Sequence, residues 1–176
     1  MAVLMAMTMI LSMSMTAFAA EVPKGTLTVN NTVEGKTLDL YQIFTAVKAN
    51  GSVLYTLNPA YDGFFKKKVD NGTNLKGEAL SKAAYEYVKT QVREDGSAGV
   101  EFAKQLLTWI LDSTNNISVT KTVSTSADST TTVIEGLEHG YYLVYPEGAT
   151  DTSSAPGGQG YTSVASLVTV LQVMML

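Results

Sequence analysis

The chain contains no cysteine, one histidine and one tryptophan among its 176 residues. The absence of cysteine excludes disulfide bonds and zinc sites built on thiolates. The histidine, His139, lies in the turn-like run Glu138-His139-Gly140, where a lone histidine is typically a surface residue and not a metal ligand. The sequence therefore predicts no metal and no cofactor, so that stability has to come from the core or from another kind of cross-link.

Positive charge is also sparse, since 12 Lys and Arg face 16 Asp and Glu for a formal net charge of -4. The only dense basic run, Lys66-Lys67-Lys68, is typical of a solvated loop or helix end. Nucleic-acid binding calls for a clustered basic face, so we expect no nucleic-acid partner.

The first twenty residues carry no charge at all and are rich in Met, Leu and Ala. The small residues Ala17 and Ala19 suit a signal peptidase, which predicts cleavage between Ala19 and Ala20 and a signal peptide over residues 1–19. Threonine and serine interrupt the apolar run, whereas a membrane-spanning helix needs about 20 apolar residues. We therefore expect a secreted protein that contacts the membrane only transiently, through this segment. Because a positively charged opening is missing, we expect the true start codon upstream.

Alternation of apolar and polar residues predicts strands at both ends of the remaining chain. The first strand spans Lys24–Asn30, and Asn31 and Thr32 supply turn residues after it. The segments Leu38–Val47 and Val53–Leu57 flank Asn50-Gly51, a favoured two-residue turn, and predict a hairpin. The later strands are expected at Ile117–Val123, Thr131–Ile134, Tyr141–Tyr145 and Thr162–Leu171.

A different spacing, three and four residues apart, marks the middle of the chain and predicts two amphipathic helices over about 78–112 that pack on one sheet. We therefore expect a mainly β domain over residues 20–171, an antiparallel β-sandwich with an inserted pair of α-helices. The Gly- and Pro-rich segment 148–160 predicts an exposed loop. The apolar tail 172–176 is out of character, and chance and truncation both remain open as its origin.

Three runs of residues together resemble a known family: Gly25–Val29, Leu40–Ala46 and Gly136–Val144. They resemble the N-terminal domain of isopeptide-forming fimbrial proteins, the sortase-assembled pilins of Gram-positive bacteria. The resemblance covers nearly all of the chain after the signal peptide. It depends on the order of a strand, an aromatic strand, a helical insertion and a Gly-Tyr-Tyr strand.

The resemblance implies an immunoglobulin-like domain in a rod-like surface fibre that is structural and adhesive and not an enzyme. A sortase joins such pilins through a lysine of one subunit and the C-terminal sorting signal of the next. The partners expected are therefore neighbouring pilin domains or subunits, and a sortase only if the full-length chain carries the necessary motifs.

Two of those motifs are missing from the sequence. Where a pilin motif has Val-Tyr-Pro-Lys, this chain has Val144-Tyr145-Pro146-Glu147, and Glu147 cannot act as the nucleophile. The sorting signal Leu-Pro-x-Thr-Gly is absent as well. We therefore expect a fragment of a longer cell-wall protein.

Family members also carry an internal amide between a lysine and an Asn or Asp, formed beside a buried acid. Burial favours the neutral forms of lysine and carboxyl that this reaction needs. The resemblance makes Lys24 and Lys36 the candidate lysines, although the last expected strand contains no Asn or Asp. The acids nearest apolar strands, Glu135 and Glu147, are expected to face solvent or cap turns, so no residue is assigned a catalytic role.

Two other classes of function remain as alternatives. Ser118 and Lys121 satisfy a Ser-x-x-Lys spacing, but a strand would point them to opposite faces, and the motifs that accompany this spacing in serine enzymes are missing. A secreted carbohydrate-binding module is the other alternative, because Tyr141, Tyr142, Tyr145 and Tyr161 are clustered in sequence. Alternation places Tyr141 and Tyr145 on one face and Tyr142 on the other.

Overall fold

The computed structural model describes residues 24–49, 52–92, 97–125, 130–147 and 166–170. Strands account for 40% and helices for 36% of these residues, and the sheets are antiparallel, so the chain is mainly β. The strands are β1 (Gly25–Asn30), β2 (Thr37–Ala49), β3 (Ser52–Leu57), β4 (Lys121–Ser124), β5 (Thr131–Leu137), β6 (Gly140–Pro146) and β7 (Ser166–Val170). The helices are α1 (Asp62–Phe65), α2 (Gly77–Gln91) and α3 (Ser97–Leu111), with single 3-10 turns at Pro59–Tyr61, Gly72–Asn74 and Ser113–Asn115.

A five-stranded sheet that curls into a half-barrel forms the centre of the fold. Its longest strand is β2, whose 13 residues are rich in the Leu, Tyr, Ile and Phe side chains that suit a buried pleated surface. One edge of β2 pairs with β6, which in turn pairs with β7. The other edge pairs first with β4 and then with β3. Within the described residues, β7 therefore forms one side of this sheet, and β4 and β3 together form the other.

A second, two-stranded sheet of β1 and β5 packs against one face of the large sheet. Apolar side chains from both sheets form the cluster between them: Leu38, Leu40, Ile134, Leu137, Tyr142, Val144 and Val170. Alternation along β1 turns Leu27 and Val29 toward this cluster, while Thr26 and Thr28 face outward.

The helices cover the opposite face of the large sheet. α2 packs against β3, and α3 packs against β6 and β7. The core on this side contains Tyr41, Ile43, Phe44, Leu57, Tyr61, Phe64, Phe65, Leu80, Ala84, Val88, Phe102, Ala103, Leu106, Ile110 and Leu143. The expectation that both helices pack on one sheet is confirmed.

The structure confirms the strand and helix pattern but shifts several boundaries, and the strand expected at Thr131–Ile134 extends to Leu137. Ile117 and Val119 precede β4, which begins only at Lys121, so the expected strand over 117–123 starts too early. The helical region begins at Pro59, well before the expected position near 78. The signal peptide, the loop 148–160, the tail 172–176 and residues 162–165 and 171 of the last expected strand lie outside the described residues.

Candidate functional site

The β2–β3 hairpin extends past the neighbouring strand of its own sheet. β6 begins at Gly140, which lies opposite Thr45, and the backbone N–H of Ala46 donates to the carbonyl of His139. Beyond that level β2 pairs only with β3, up to the pair Ala49 and Ser52. The outer part of the hairpin therefore has no strand beside it on the β6 side among the described residues.

Two apolar side chains on this outer part are largely exposed. Val47 is 60% and Leu54 is 56% exposed, and the two residues lie directly opposite each other on β2 and β3. Because Tyr55 and its partner Ala46 face the helices, alternation turns Val47 and Leu54 to the face that the two-stranded sheet only partly covers. Association with another surface would remove this pair from water.

The outer edge of β3 is open along most of its length. Backbone groups of an antiparallel strand alternate between the two sides, and the N–H of Leu57 points outward, where it donates to Ser81 Oγ at 3.1 Å. The same alternation turns the N–H and carbonyl groups of Val53 and Tyr55 outward. No described strand pairs with this edge. Ser81 therefore satisfies the outward N–H at one end of the edge, while no described strand bonds to the outward groups at its centre.

Nothing in β3 protects the edge from pairing. Natural edge strands are usually blunted by charge, proline or a bulge. The sequence Ser52–Leu57 contains no charged residue and no proline, and its register with β2 runs without a shift. This edge therefore has the features of a strand that pairs with another chain.

A layer of three tyrosines supports the edge from the helix side. The ring of Tyr55 stacks on Tyr85, with centroids 4.4 Å apart and planes 17° apart, and lies 5.3 Å from the ring of Tyr141. Burial, followed by the neighbouring phenols Tyr85 and Tyr141, raises the pKa of Tyr55 to about 12. The phenol therefore stays neutral at physiological pH, and the layer beneath the edge is uncharged and packed.

The residues expected to mark secretion and cross-linking do not lie at the β2–β3 hairpin. Ala17, Ala19 and Ala20 are outside it. Lys24 is exposed and pairs with Glu138 at 3.3 Å, and Lys36 is exposed in the turn before β2. Since the family's internal amide forms between buried groups, neither lysine occupies the expected surroundings, and the cross-link stays a prediction.

The acids and the histidine are placed mostly as expected. Glu135 and Glu147 are exposed, and the hydroxyl of Thr37 donates to Glu147. His139 lies in the bend before β6 as predicted, but it is not a free surface side chain: its Nε2 is buried and has no hydrogen-bond partner among the described residues. The described residues contain no group of three or more His, Asp or Glu that could hold a metal ion.

The structure also places most of the residues on which the two alternative functions, a serine enzyme and a sugar-binding module, depend. Ser118 is exposed before β4, while the ammonium group of Lys121 donates to the carbonyl of Glu135 at 2.5 Å. Tyr142 is buried between the sheets and Tyr141 lies in the tyrosine layer, so these residues do not form one exposed sugar-binding platform. The alternation predicted for Tyr141, Tyr142 and Tyr145 is confirmed, and Tyr161 lies outside the described residues.

Sequence reasoning recognised the hairpin but missed its open edge. The sequence does contain a signal for this edge. Val53, Leu54 and Tyr55 are three consecutive apolar residues, whereas a strand covered on one face alternates apolar and polar residues. Both faces of β3 therefore carry apolar side chains, and Leu54 on the face away from the helices is largely exposed.

In the part of the chain that the structure describes, no helix is both long and apolar enough to cross a membrane. Neither models of known protein families nor curated proteins match the chain.

Proposed function

We propose that this chain is a structural domain of a bacterial surface fibre of the sortase-assembled pilin kind. In this role it is secreted to the cell surface, contacts neighbouring domains to extend the fibre, and catalyses no reaction. The observation that carries the proposal is the open, uncharged edge of β3. For the fold we propose an immunoglobulin-like β-sandwich with the helices as an insertion.

A domain in a surface fibre needs a surface through which a neighbouring domain can bind. The outward backbone groups of Val53 and Tyr55 offer hydrogen bonds to an added strand, and the exposed pair Val47 and Leu54 offers apolar area beside it. Because the tyrosine layer already holds β3 in place, little conformational entropy is lost when a partner binds.

The location of the resembling residues also supports the proposal. The runs Gly25–Val29 and Leu40–Ala46 fall in β1 and β2, and Gly136–Val144 spans the end of β5 and most of β6. β2 and β6 pair in the middle of the large sheet. The runs in β2 and β6 therefore build the centre of the large sheet, and the run in β1 lies in the two-stranded sheet that packs against it.

Sedimentation velocity over a concentration series tests the contact. The purified chain should associate reversibly, and Leu54→Lys should weaken this association about tenfold or more, because burying an ammonium group in the contact costs over 1.4 kcal/mol. The matched control is Val133→Lys on β5, where the native side chain is 54% exposed and lies away from the hairpin. It should leave the association unchanged.

A chain that stays monomeric at millimolar concentration would overturn the proposed contact through β3, as would equal weakening by both lysine variants.

Sequencing the gene outward from Met1 and Leu176 separately tests whether the chain belongs to a sortase-assembled fibre. We expect a Val-Tyr-Pro-Lys motif, further domains and a Leu-Pro-x-Thr-Gly signal. A stop codon directly after Leu176, with no sortase gene nearby, would exclude assembly by a sortase.

A further inference from the structure

An open groove of about 380 Å³ lies between two helical ridges on the side opposite the two-stranded sheet. One ridge is α1 with the turn after it, which supplies Phe64, Lys67 and Lys68. The other ridge is the end of α3, which supplies Gln105, Thr108 and Trp109, followed by Asp112. Within α3, Thr108 and Trp109 lie three and four residues after Gln105 and share one helical face with it, and Asp112 follows directly after the helix. The volume is within the range of about 300–1,000 Å³ that is typical of small-ligand sites.

The inner part of the groove is aromatic. Phe64 is buried and Trp109 is half-buried, and their rings lie 5.7 Å apart. Tyr61 supports the indole from beneath at 6.1 Å. Trp109 is the only tryptophan of the chain, and it is held by neighbouring rings while still lining the groove.

The rim of the groove carries more positive than negative charge, in a chain whose overall charge is negative. Lys68 Nζ donates to Gln105 Oε1 at 2.7 Å and lies 5.5 Å from the centre of the Phe64 ring. Lys67 is exposed and forms no salt bridge with a described residue. Both ammonium groups therefore retain N–H donors for a ligand anion.

The acid of the groove lining, Asp112, stays ionised, and its hydrogen bonds to Thr114 use one of its two carboxylate oxygens. Asp112 Oδ1 accepts from the N–H and the hydroxyl of Thr114, and these hydrogen bonds, with the charge of Lys67 as a smaller cause, hold the pKa of Asp112 below its usual range. Thr108 donates its proton to the Lys104 carbonyl, which leaves the lone pairs of its oxygen as acceptors. The rim thus combines cationic donors with acceptors for hydroxyl groups.

We propose that this groove binds an acidic saccharide, one sugar ring lying on Trp109 and its carboxylate on Lys67 and Lys68. The alternating apolar and polar surfaces of a sugar ring match an aromatic floor with a polar rim. An acidic peptide suits the groove less well. A peptide that binds by strand addition needs free backbone N–H and carbonyl groups in its receptor, whereas the N–H groups in the last turns of α3 are used within the helix. The proposal is independent of the β3 edge.

Titration of the full chain with a hyaluronan tetrasaccharide tests the proposal. The neutral N-acetylglucosamine tetramer and a tetraglutamate peptide serve as comparison ligands. Since Trp109 is the only tryptophan, its emission reports on the groove directly, and calorimetry gives a second measure of the affinity. We expect a shift of the emission with hyaluronan, at least about threefold weaker binding of both comparison ligands, and weakening by added salt.

Four variants test whether binding occurs in the groove or reflects nonspecific charge attraction. Lys67→Gln and Lys68→Gln should each weaken hyaluronan binding about threefold or more, while Lys82→Gln, an exposed lysine on α2, should not. Trp109→Phe, followed by calorimetry, should also weaken it. Absence of hyaluronan binding at millimolar ligand would overturn the proposal. Equal affinity for the neutral tetramer, tighter binding of tetraglutamate, or equal loss in Lys82→Gln would overturn it as well.

Discussion

At the scale of single residues, a few positions of this fold depend on atoms that lie far away in sequence. A Cβ at Gly140 would lie 2.0 Å from the carbonyl oxygen of Phe44, where β2 changes its register against β6. The Gly-Tyr-Tyr run was recognised as the start of a strand. The need for glycine there comes from the close approach of β2 and was not predictable from the local pattern.

We expect Gly140→Ala to lower the free energy of unfolding by about 2 kcal/mol or more, since the backbone of two paired strands has to move apart. Urea denaturation measures the change. Gly63→Ala in α1 is the control, because its Cβ would meet Trp109 only at an ordinary contact distance of 3.5 Å. A Gly140→Ala protein as stable as the control would contradict the close approach.

Tyr142 should contribute to the dependence of stability on pH. Its hydroxyl donates to the carbonyl of Glu138 at 2.8 Å, and burial raises the pKa of Tyr142 to about 12, with the charge of Glu138 as a smaller cause. An unfolded tyrosine has a pKa of about 10. Since the pKa is raised on folding, the stabilisation is complete below pH of about 10 and is lost as the pH rises toward about 12.

Tyr142→Phe should therefore make the loss of stability between about pH 10 and 12 shallower than in the native chain. At pH 7 the variant should be about 1 kcal/mol less stable, because one buried hydrogen bond is lost. Denaturation at several pH values checks both. An unchanged slope in the alkaline range would show that the phenol ionises as readily in the folded protein as in the unfolded chain.

At the scale of elements, α3 shows how spacing in the sequence selects a buried face. Leu106 is fully buried against the sheet, whereas Leu111 at the end of the helix is 54% exposed. Both residues are leucines in a run of apolar side chains, and the three-and-four spacing alone distinguishes them in the sequence.

Leu106→Ala should lower the free energy of unfolding by about 2–5 kcal/mol, because it leaves a cavity in a packed core. Leu111→Ala should change it by less than about 0.5 kcal/mol. Chemical denaturation of the two variants gives the comparison. Similar losses for both would mean that α3 does not pack on the sheet through the face described above.

At the scale of the whole molecule, one sheet separates two apolar clusters and its central strands belong to both. In β6, Tyr142 and Val144 face the two-stranded sheet while Leu143 faces the helices. β2 divides its side chains in the same way, with Leu38 and Leu40 on one side and Tyr41 on the other. These two strands should therefore open last.

Amide hydrogen exchange followed by NMR in dilute solution measures this directly. Amides of Leu143 in β6 and Tyr41 in β2 should exchange among the slowest, through opening close to global unfolding. Along β3 the rates should alternate, since Leu54 and Thr56 bond to β2 while Val53 and Tyr55 turn outward. Uniform protection along β3 would contradict an open edge and point to a covering segment.

Much of the fold was predictable, and the candidate site was not. The hairpin, both long helices and the opposite orientation of Tyr141 and Tyr142 all follow from periodicity within a few residues. The short helix α1 escaped prediction because four residues are too few to show a period. The lysines expected to cross-link, Lys24 and Lys36, were chosen by position near the first strands, and their exposure depends on packing.

The sequence by itself determined which segments become strands or helices and which side of each is apolar, because those properties depend on neighbours within one or two turns. Only the tertiary structure decided that β4 and β3 share one edge of β2 and that the backbone groups of Val53 and Tyr55 point away from the sheet. It alone also placed Trp109 and Lys67 on opposite sides of one groove. These arrangements depend on which distant segments pack together, and local patterns do not specify that choice.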